Sequence, residues 1–265
     1  MNIGIIGLGW LGLPLAKSLE KKGFTIFGTT TSLEKKLLLE KEGFQVFLLN
    51  LNEEQDENQL KDFFNTCTHC FLNIPPSKTN FQTYQNQLLK AVSFFNENAK
   101  FIFASSTSVY SEKVEIAFED SLKITDYNFT SQLFLTEKAL KLKLKENLTV
   151  IRFAGLFGEN RNPARFLAGK SNLKNGNSAV NLVHQIDCIH FIKKILNENI
   201  WGECFNLCAS EHPKRSEFYT SFCQKLNLEM PSFEQENLSN TSRIVSNEKS
   251  KKWNFIYQYD SPYDF

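Results

Sequence analysis

The sequence predicts an α/β fold: a doubly wound parallel sheet followed by a smaller C-terminal region. Three observations predict it. Short apolar runs alternate with amphipathic stretches across residues 1–155. A glycine pattern, Gly7-x-Gly9-x-x-Gly12, sits where the first run gives way to the first amphipathic stretch. Beyond residue 155 the alternation weakens, so a boundary is expected between 1–155 and 156–265.

The apolar runs fall at residues 3–7, 24–28, 46–49, 70–74, 101–104 and 149–153. Each is short and mostly apolar, as in strands buried on both faces. Between the first two, Leu11, Leu15, Ala16 and Leu19 repeat at the spacing of one helix face. Similar helical stretches are expected at 33–41, 59–64, 83–95 and 132–144. Strand and helix in alternation mean parallel strands joined by crossover helices on both faces. Residues 155–177 read as loop with a short helix. Strands are expected at 179–184 and 203–207, helices at about 187–196 and 216–226, and a polar tail from about Met230.

The chain has 265 residues, with 30 Lys and Arg against 29 Asp and Glu. No surplus of cations is available to displace counterions from phosphates, which argues against nucleic acid as a partner. The 25 Phe, 7 Tyr and 3 Trp are too much apolar surface for a disordered chain. No run of about 18 apolar residues is present, so no membrane-spanning helix is expected. The apolar N-terminus lacks both a preceding Lys or Arg and a small-residue cleavage pattern, which argues against a signal peptide. Cys67 and Cys70 form a CxxC around His69, but Cys204 and Cys208 are a poor second pair for zinc. The six cysteines therefore read as reduced core residues of a cytoplasmic protein, with no metal.

Each glycine of the loop has a task. Gly7 permits a sharp turn, Gly9 lets backbone approach a pyrophosphate, and Gly12 lets the helix pack against the sheet. The N–H groups of the turn through Trp10 and Leu11 then face two phosphates at the positive end of a helix dipole. Pro14 is tolerated because the first helical turn does not need its N–H. An NAD site usually ends its second strand on Asp or Glu. Here Thr29, Thr30, Thr31 and Ser32 follow, with Lys35 and Lys36 just beyond. Hydroxyls and cations suit a 2′-phosphate, so NADP is expected ahead of NAD. The alternative is that Thr31 or Ser32 caps the next helix. Asn50 ends the third strand, where an amide can reach adenine. Asn73 and Pro75 end the fourth, at the carboxyl edge of the sheet beside ribose and phosphates.

Four segments carry a family resemblance: Gly7–Gly12, Ala104-Ser-Ser-Thr-Ser-Val-Tyr110, Arg152-Phe-Ala-Gly-Leu-Phe-Gly158 and Val180-Asn-Leu-Val-His-Gln-Ile-Asp187. Over nearly its whole length the chain resembles the short-chain dehydrogenase/reductase superfamily, on its extended, epimerase/dehydratase-like side. The resemblance implies a Rossmann-type sheet with a small C-terminal substrate domain, and an NAD(P) cofactor used on sugar nucleotides or related substrates. It sets Ser105 against the cofactor and makes Ser106, with Thr107 or Ser108 as substitutes, the group that orients the substrate oxygen.

Such enzymes pair Tyr with Lys four residues on, and none of the seven tyrosines here has that lysine. The best register puts Phe129 and Leu133 at the two positions; a second gives Phe134 and Lys138. A phenyl ring has no proton to exchange, and a general acid–base typically contributes about a hundred- to ten-thousandfold in rate. Tyr127 and Tyr84 are the candidate substitutes. The chain thus looks like atypical members of the superfamily with a degraded catalytic set. A non-catalytic NADP(H) sensor is the rival reading. Arg161 and Arg165, after the sixth strand, and Arg243, in a late segment, are candidates for a substrate diphosphate, because the guanidinium fork binds phosphate oxygens in pairs. His184 is expected to make a structural hydrogen bond and Asp187 to cap a helix. The chain is expected to be a monomer or a homodimer; relatives often pair through two long helices, here 83–95 and 132–144.

Overall fold

Short apolar segments and helical segments follow one another through most of the chain, and the fold is built from that order. The computed structural model describes residues 1–75, 81–112, 114–122, 129–234 and 242–265. β1 (Asn2–Ile6) turns through the glycine loop into α1 (Gly12–Glu20). The chain continues as β2 (Thr25–Thr30), α2 (Leu33–Lys41), β3 (Gln45–Leu48), α3 (Glu57–Phe64), β4 (His69–Leu72), α4 (Phe81–Val92) and β5 (Lys100–Ser106). A 3₁₀ turn at Thr107–Val109 and the short β6 (Ile116–Ala117) precede α5 (Phe129–Leu144) and β7 (Leu148–Phe153). Then come β8 (Gly155–Phe157), β9 (Leu182–His184), α6 (Gln185–Glu198), β10 (Cys204–Leu207), α7 (Arg215–Lys225), β11 (Ile244–Val245) and α8 (Glu248–Lys252).

Seven strands form one sheet in the order β10-β7-β5-β4-β1-β2-β3. β1 pairs in parallel with β2 on one side and β4 on the other, so the winding reverses between β1 and β4. In open α/β sheets, ligands bind beyond the carboxyl ends of the strands at such a reversal. Ile6 faces Leu72 in the β1–β4 register, which brings Gly7 and Asn73 together just past those ends. The central strands are rich in apolar residues because helices cover both faces; β4 and β7 are buried along their whole length.

The chain divides into two compact units, each drawn from three stretches rather than at a single boundary. The first is Met1–Ser105, Tyr127–Ile151 and Ile189–Cys204; the second is Ser106–Asp126, Arg152–Cys188 and Phe205–Phe265. In the first, Phe64 stacks on Phe95 with ring centres 4.5 Å apart. In the second, Phe157, Val180, Leu182, Phe218 and Phe222 form a separate core.

Several expectations are corrected. The stretch read as loop from residue 155 holds β8, which pairs in parallel with β9, so the strand expected at 179–184 is confined to Leu182–His184. The strand expected at 203–207 is present as β10 (Cys204–Leu207), the seventh strand of the main sheet, to which the C-terminal region was expected to contribute. The tail read as polar contains β11, paired with β6, and α8. Cys67, Cys70, Cys188, Cys208 and Cys223 are buried free thiols, and burial pushes the Cys67 thiol up to about 12. Among the described residues no group of His, Cys, Asp or Glu is arranged to hold a metal ion, and no helix is long and apolar enough to cross a membrane.

Candidate functional site

The glycine loop is fixed by hydrogen bonds from both flanking strands. Gly7 adopts φ +105°, the left-handed region that disfavours other residues, and a Cβ there would lie 2.6 Å from the Asn73 carbonyl oxygen. A Cβ on Gly12 would run into the carbonyl oxygen of Gly7. Gly9 differs: nothing lies within 4 Å of where its Cβ would be. Its missing side chain leaves open space over the loop, which is where a diphosphate would need it. α1 starts without a side-chain cap, its N-cap being Leu11, so no side chain competes with an anion there.

Two residues brace this turn. The Gly7 N–H donates to the Thr29 hydroxyl oxygen (3.0 Å) and the Leu8 N–H to the Thr29 carbonyl (2.8 Å). From the other side the Asn73 side-chain amide donates to the Gly7 carbonyl (3.0 Å), and its backbone N–H to Ile6 (3.0 Å). Thr29 is buried, so its hydroxyl shapes the loop instead of standing ready for a 2′-phosphate.

A cavity of about 490 Å³ opens beside the loop. Of the residues expected to hold the cofactor, Gly7, Gly9, Thr29, Thr30, Thr31, Asn50, Asn73 and Pro75 line it together. Sequence reasoning missed Asn52 and Gln87 as lining residues. Asn52 and Asn50 share a local amide network: Gln87 donates to Asn52 (2.6 Å), and Asn50 donates to Glu53 (2.5 Å) while accepting from the Asn52 N–H (3.1 Å). Lys35 is the one charged side chain among the described lining residues. Ser32 also lines the cavity and caps α2, accepting the Lys35 N–H at 3.2 Å. No Asp or Glu is among the described residues that line the cavity.

Trp10, Leu11, Gly12 and Ser105 are not among the residues that line the cavity. Leu11 and Gly12 are buried in the start of α1, and Trp10 is half-buried. Ser105 is buried too, and its hydroxyl donates to Glu137 at 2.5 Å, so it is committed to bracing β5 against α5. The signal for that pairing was Glu137 itself, an acid in a helix face otherwise turned to the core.

Ser106 accepts the Ser108 N–H (3.1 Å) and so caps the 3₁₀ turn, with Thr107 buried inside it. Tyr110 is fully buried; its hydroxyl donates to Asn206 (2.6 Å) and accepts from Arg152 (2.8 Å). Arg152 also donates to the Glu119 carbonyl (2.9 Å), while burial pushes the Glu119 carboxyl above its usual range. Arg243, expected to bind substrate, donates from its guanidinium to the Tyr110 carbonyl at 2.6 Å. Arg161 and Arg165 are exposed. Tyr127 lies outside the described residues. Tyr84 cannot substitute for it: fully buried, it donates its hydroxyl to the Ile74 carbonyl (2.9 Å), and burial, then the charge of Glu137, push its phenol well up. Leu133 is buried. In the second register Lys138 rests over the Phe134 ring, 4.9 Å from its centre.

Two late residues also have structural tasks. Asp187 lies inside the first turn of α6, not before it, and its carboxylate accepts the N–H groups of Gln258 (2.7 Å) and Tyr259 (3.1 Å). It anchors the C-terminal segment. His184 accepts the Ile186 N–H at Nδ1 (3.2 Å) and packs against Tyr259 and Phe265.

Residues 2–128 match a family model described as the NAD binding domain of 6-phosphogluconate dehydrogenase. Protein YeeZ of Escherichia coli (strain K12) is 31% identical over 268 aligned residues, spanning 98% of this chain and 97% of that protein. Among solved structures, UDP-glucuronic acid 4-epimerase from Bacillus cereus, in complex with NAD, superposes with a TM-score of 0.76 at 19% identity, covering 97% of this chain and 94% of that one. UDP-glucose 4-epimerase from Thermotoga maritima, with UDP-glucose, gives a TM-score of 0.75 at 16% identity over 97% and 94%. The structural likeness is one of fold.

Proposed function

The chain belongs to one family with Protein YeeZ, and on that premise we propose that it is an atypical member of the short-chain dehydrogenase/reductase superfamily resembling its extended epimerase/dehydratase family, an NADP-preferring oxidoreductase or epimerase/dehydratase-like enzyme acting on a sugar nucleotide or a related carbonyl or hydroxyl compound. The observation that carries the proposal is the cavity beside a glycine loop whose Gly9 faces open space. The loop N–H groups and the α1 N-terminus would hold the diphosphate. Thr30, Thr31, Ser32 and Lys35 would hold a 2′-phosphate, Asn50 and Asn52 would meet the adenine, and Asn73 and Pro75 would border the ribose. When bound, the nicotinamide supplies a two-electron donor or acceptor. Ser106 would orient the substrate oxygen, and Arg161 and Arg165, always charged, would bind a substrate diphosphate. Tyr127 is retained as the acid–base candidate.

A second reading, a non-catalytic NADP(H) sensor, is supported by a different observation. The hydroxyls of Tyr84 and Tyr110 are committed inside the protein, and neither register of the family's Tyr and Lys pair supplies a phenol. Titration of the purified protein with NADPH and NADH, read by fluorescence, tests the cofactor: tighter NADPH binding is expected, and equal affinity for the two would overturn the preference. Turnover is then sought across a panel of sugar nucleotides, ketones and aldehydes. Turnover abolished in Ser106→Ala supports the enzyme reading. Tight NADPH binding with no turnover on the panel favours the sensor.

A further inference from the structure

Helix α2 is turned inside out relative to an ordinary surface helix. Of its four leucines only Leu39 is buried, while Leu33, Leu37 and Leu38 are 58%, 52% and 58% exposed. A surface helix normally turns such residues to the core, and a contiguous apolar patch marks an interaction site. At 3.6 residues per turn, the side opposite Leu39 carries Leu33, Leu37 and Lys41 in one row and Glu34 and Leu38 in the next. Leu37, Leu38, Glu34 and Lys41 line a shallow groove there. The long helices through which relatives pair offer less: among the described residues α4 exposes no large apolar side chain and α5 exposes Leu142 alone.

The charges on this face identify its occupant. Lys36 pairs with Glu40 and Lys17 with Glu42, whereas Glu34 and Lys41 have no ion pair among the described residues. They lie seven residues apart, about 10 Å along the axis, and Leu37 and Leu38 fall midway between them. We propose that this face is where two copies of the chain meet, with their α2 helices antiparallel about a two-fold axis between Leu37 and Leu38. Glu34 then meets the partner's Lys41, Lys41 meets the partner's Glu34, and the leucines close between the two ion pairs. A two-fold contact must be self-complementary in this way. Parallel helices would instead set like charges opposite each other. One nine-residue helix face is small for a stable dimer, so association is weak and depends on concentration. None of this depends on the cofactor reading.

Sedimentation velocity on the full chain, from ~10 μM to ~1 mM, covers the range of a weak interface. The wild type is expected to shift from monomer to dimer. Glu34→Lys and Lys41→Glu are each expected to weaken association at least tenfold, as is the double variant Leu37→Ser/Leu38→Ser. An equimolar mixture of Glu34→Lys and Lys41→Glu is expected to restore it, since each variant supplies the charge the other lacks. Thermal melts of each variant check folding. A wild type that stays monomeric throughout, a dimer indifferent to both charge reversals, or a mixture no better than its components would each overturn the proposal.

Discussion

Glycine and alanine differ by one methyl group, and at positions 9 and 12 that methyl meets opposite surroundings. At Gly12 it would strike the Gly7 carbonyl oxygen, part of the backbone that forms the turn. At Gly9 it would enter open space. Gly12→Val is therefore expected to lower stability by about 1–3 kcal/mol, the usual range for overpacking. Gly9→Val is expected to leave the cofactor-free melting temperature unchanged while weakening NADPH binding at least tenfold. Thermal melts without cofactor, together with fluorescence titration, separate the two effects; a destabilised Gly9→Val would show that the space above the loop is not free. The glycines were legible in the sequence because no other residue does their work at that spacing. Thr29 and Asn73 were legible as neighbours of the site but not as its braces. Their partner is Gly7, 22 and 66 residues away, and nothing local to either residue reports that pairing. Ser105 misled for the same reason, since its partner Glu137 lies on α5.

At the scale of elements, what the sequence revealed follows length. The helices and all strands but β6 in the first 154 residues are long enough to be read as elements, and α2 begins and ends at the bounds expected of it, 33–41. β6, β8, β9 and β11 have two or three residues each, fewer than a period-two pattern needs, and they escaped notice or were overextended. Asp187 shows how an element's end can serve a distant segment. An acid one turn into α6 is compatible with the helix dipole, but both its oxygens are taken by backbone N–H groups 71 and 72 residues further on. Asp187→Ala would leave those donors without their carboxylate, at a cost of about 1.5–3 kcal/mol, the usual contribution of a hydrogen bond to a charged group. The expected result is a lower unfolding midpoint and faster amide exchange at Gln258 and Tyr259, measured by hydrogen–deuterium exchange. Exchange unchanged at those two residues would show that the segment is held by other contacts.

For the whole molecule, buried histidines make stability depend on pH in a direction that can be worked out. Burial lowers the His184 pKa from the ordinary 6.5 to about 4, and burial also lowers those of His69 and His212. The Nε2 of His184 has no hydrogen-bond partner among the described residues, so a charge on the ring would be poorly solvated. A histidine depressed in the folded state binds its proton more readily once unfolded, so stability is intact above pH 6.5 and falls as the pH drops toward about 4. Glu119 acts in the opposite sense: its carboxyl is raised by burial, and the folded state takes up that proton first. The histidines outnumber it, and net loss of stability is expected between pH 7 and pH 5. For His184 alone the slope approaches 1.4 kcal/mol per pH unit within its window, the linkage of one proton. His184→Asn isolates that share, because an Asn side-chain oxygen can still accept the Ile186 N–H while the titrating ring is gone. Urea unfolding at pH 7, 6 and 5 should give a shallower pH dependence for the variant than for the wild type, although the variant loses packing against Tyr259 and Phe265 at every pH. Parallel dependences would overturn the prediction, since they would show that the ring of His184 is protonated as easily in the folded chain as in the unfolded one.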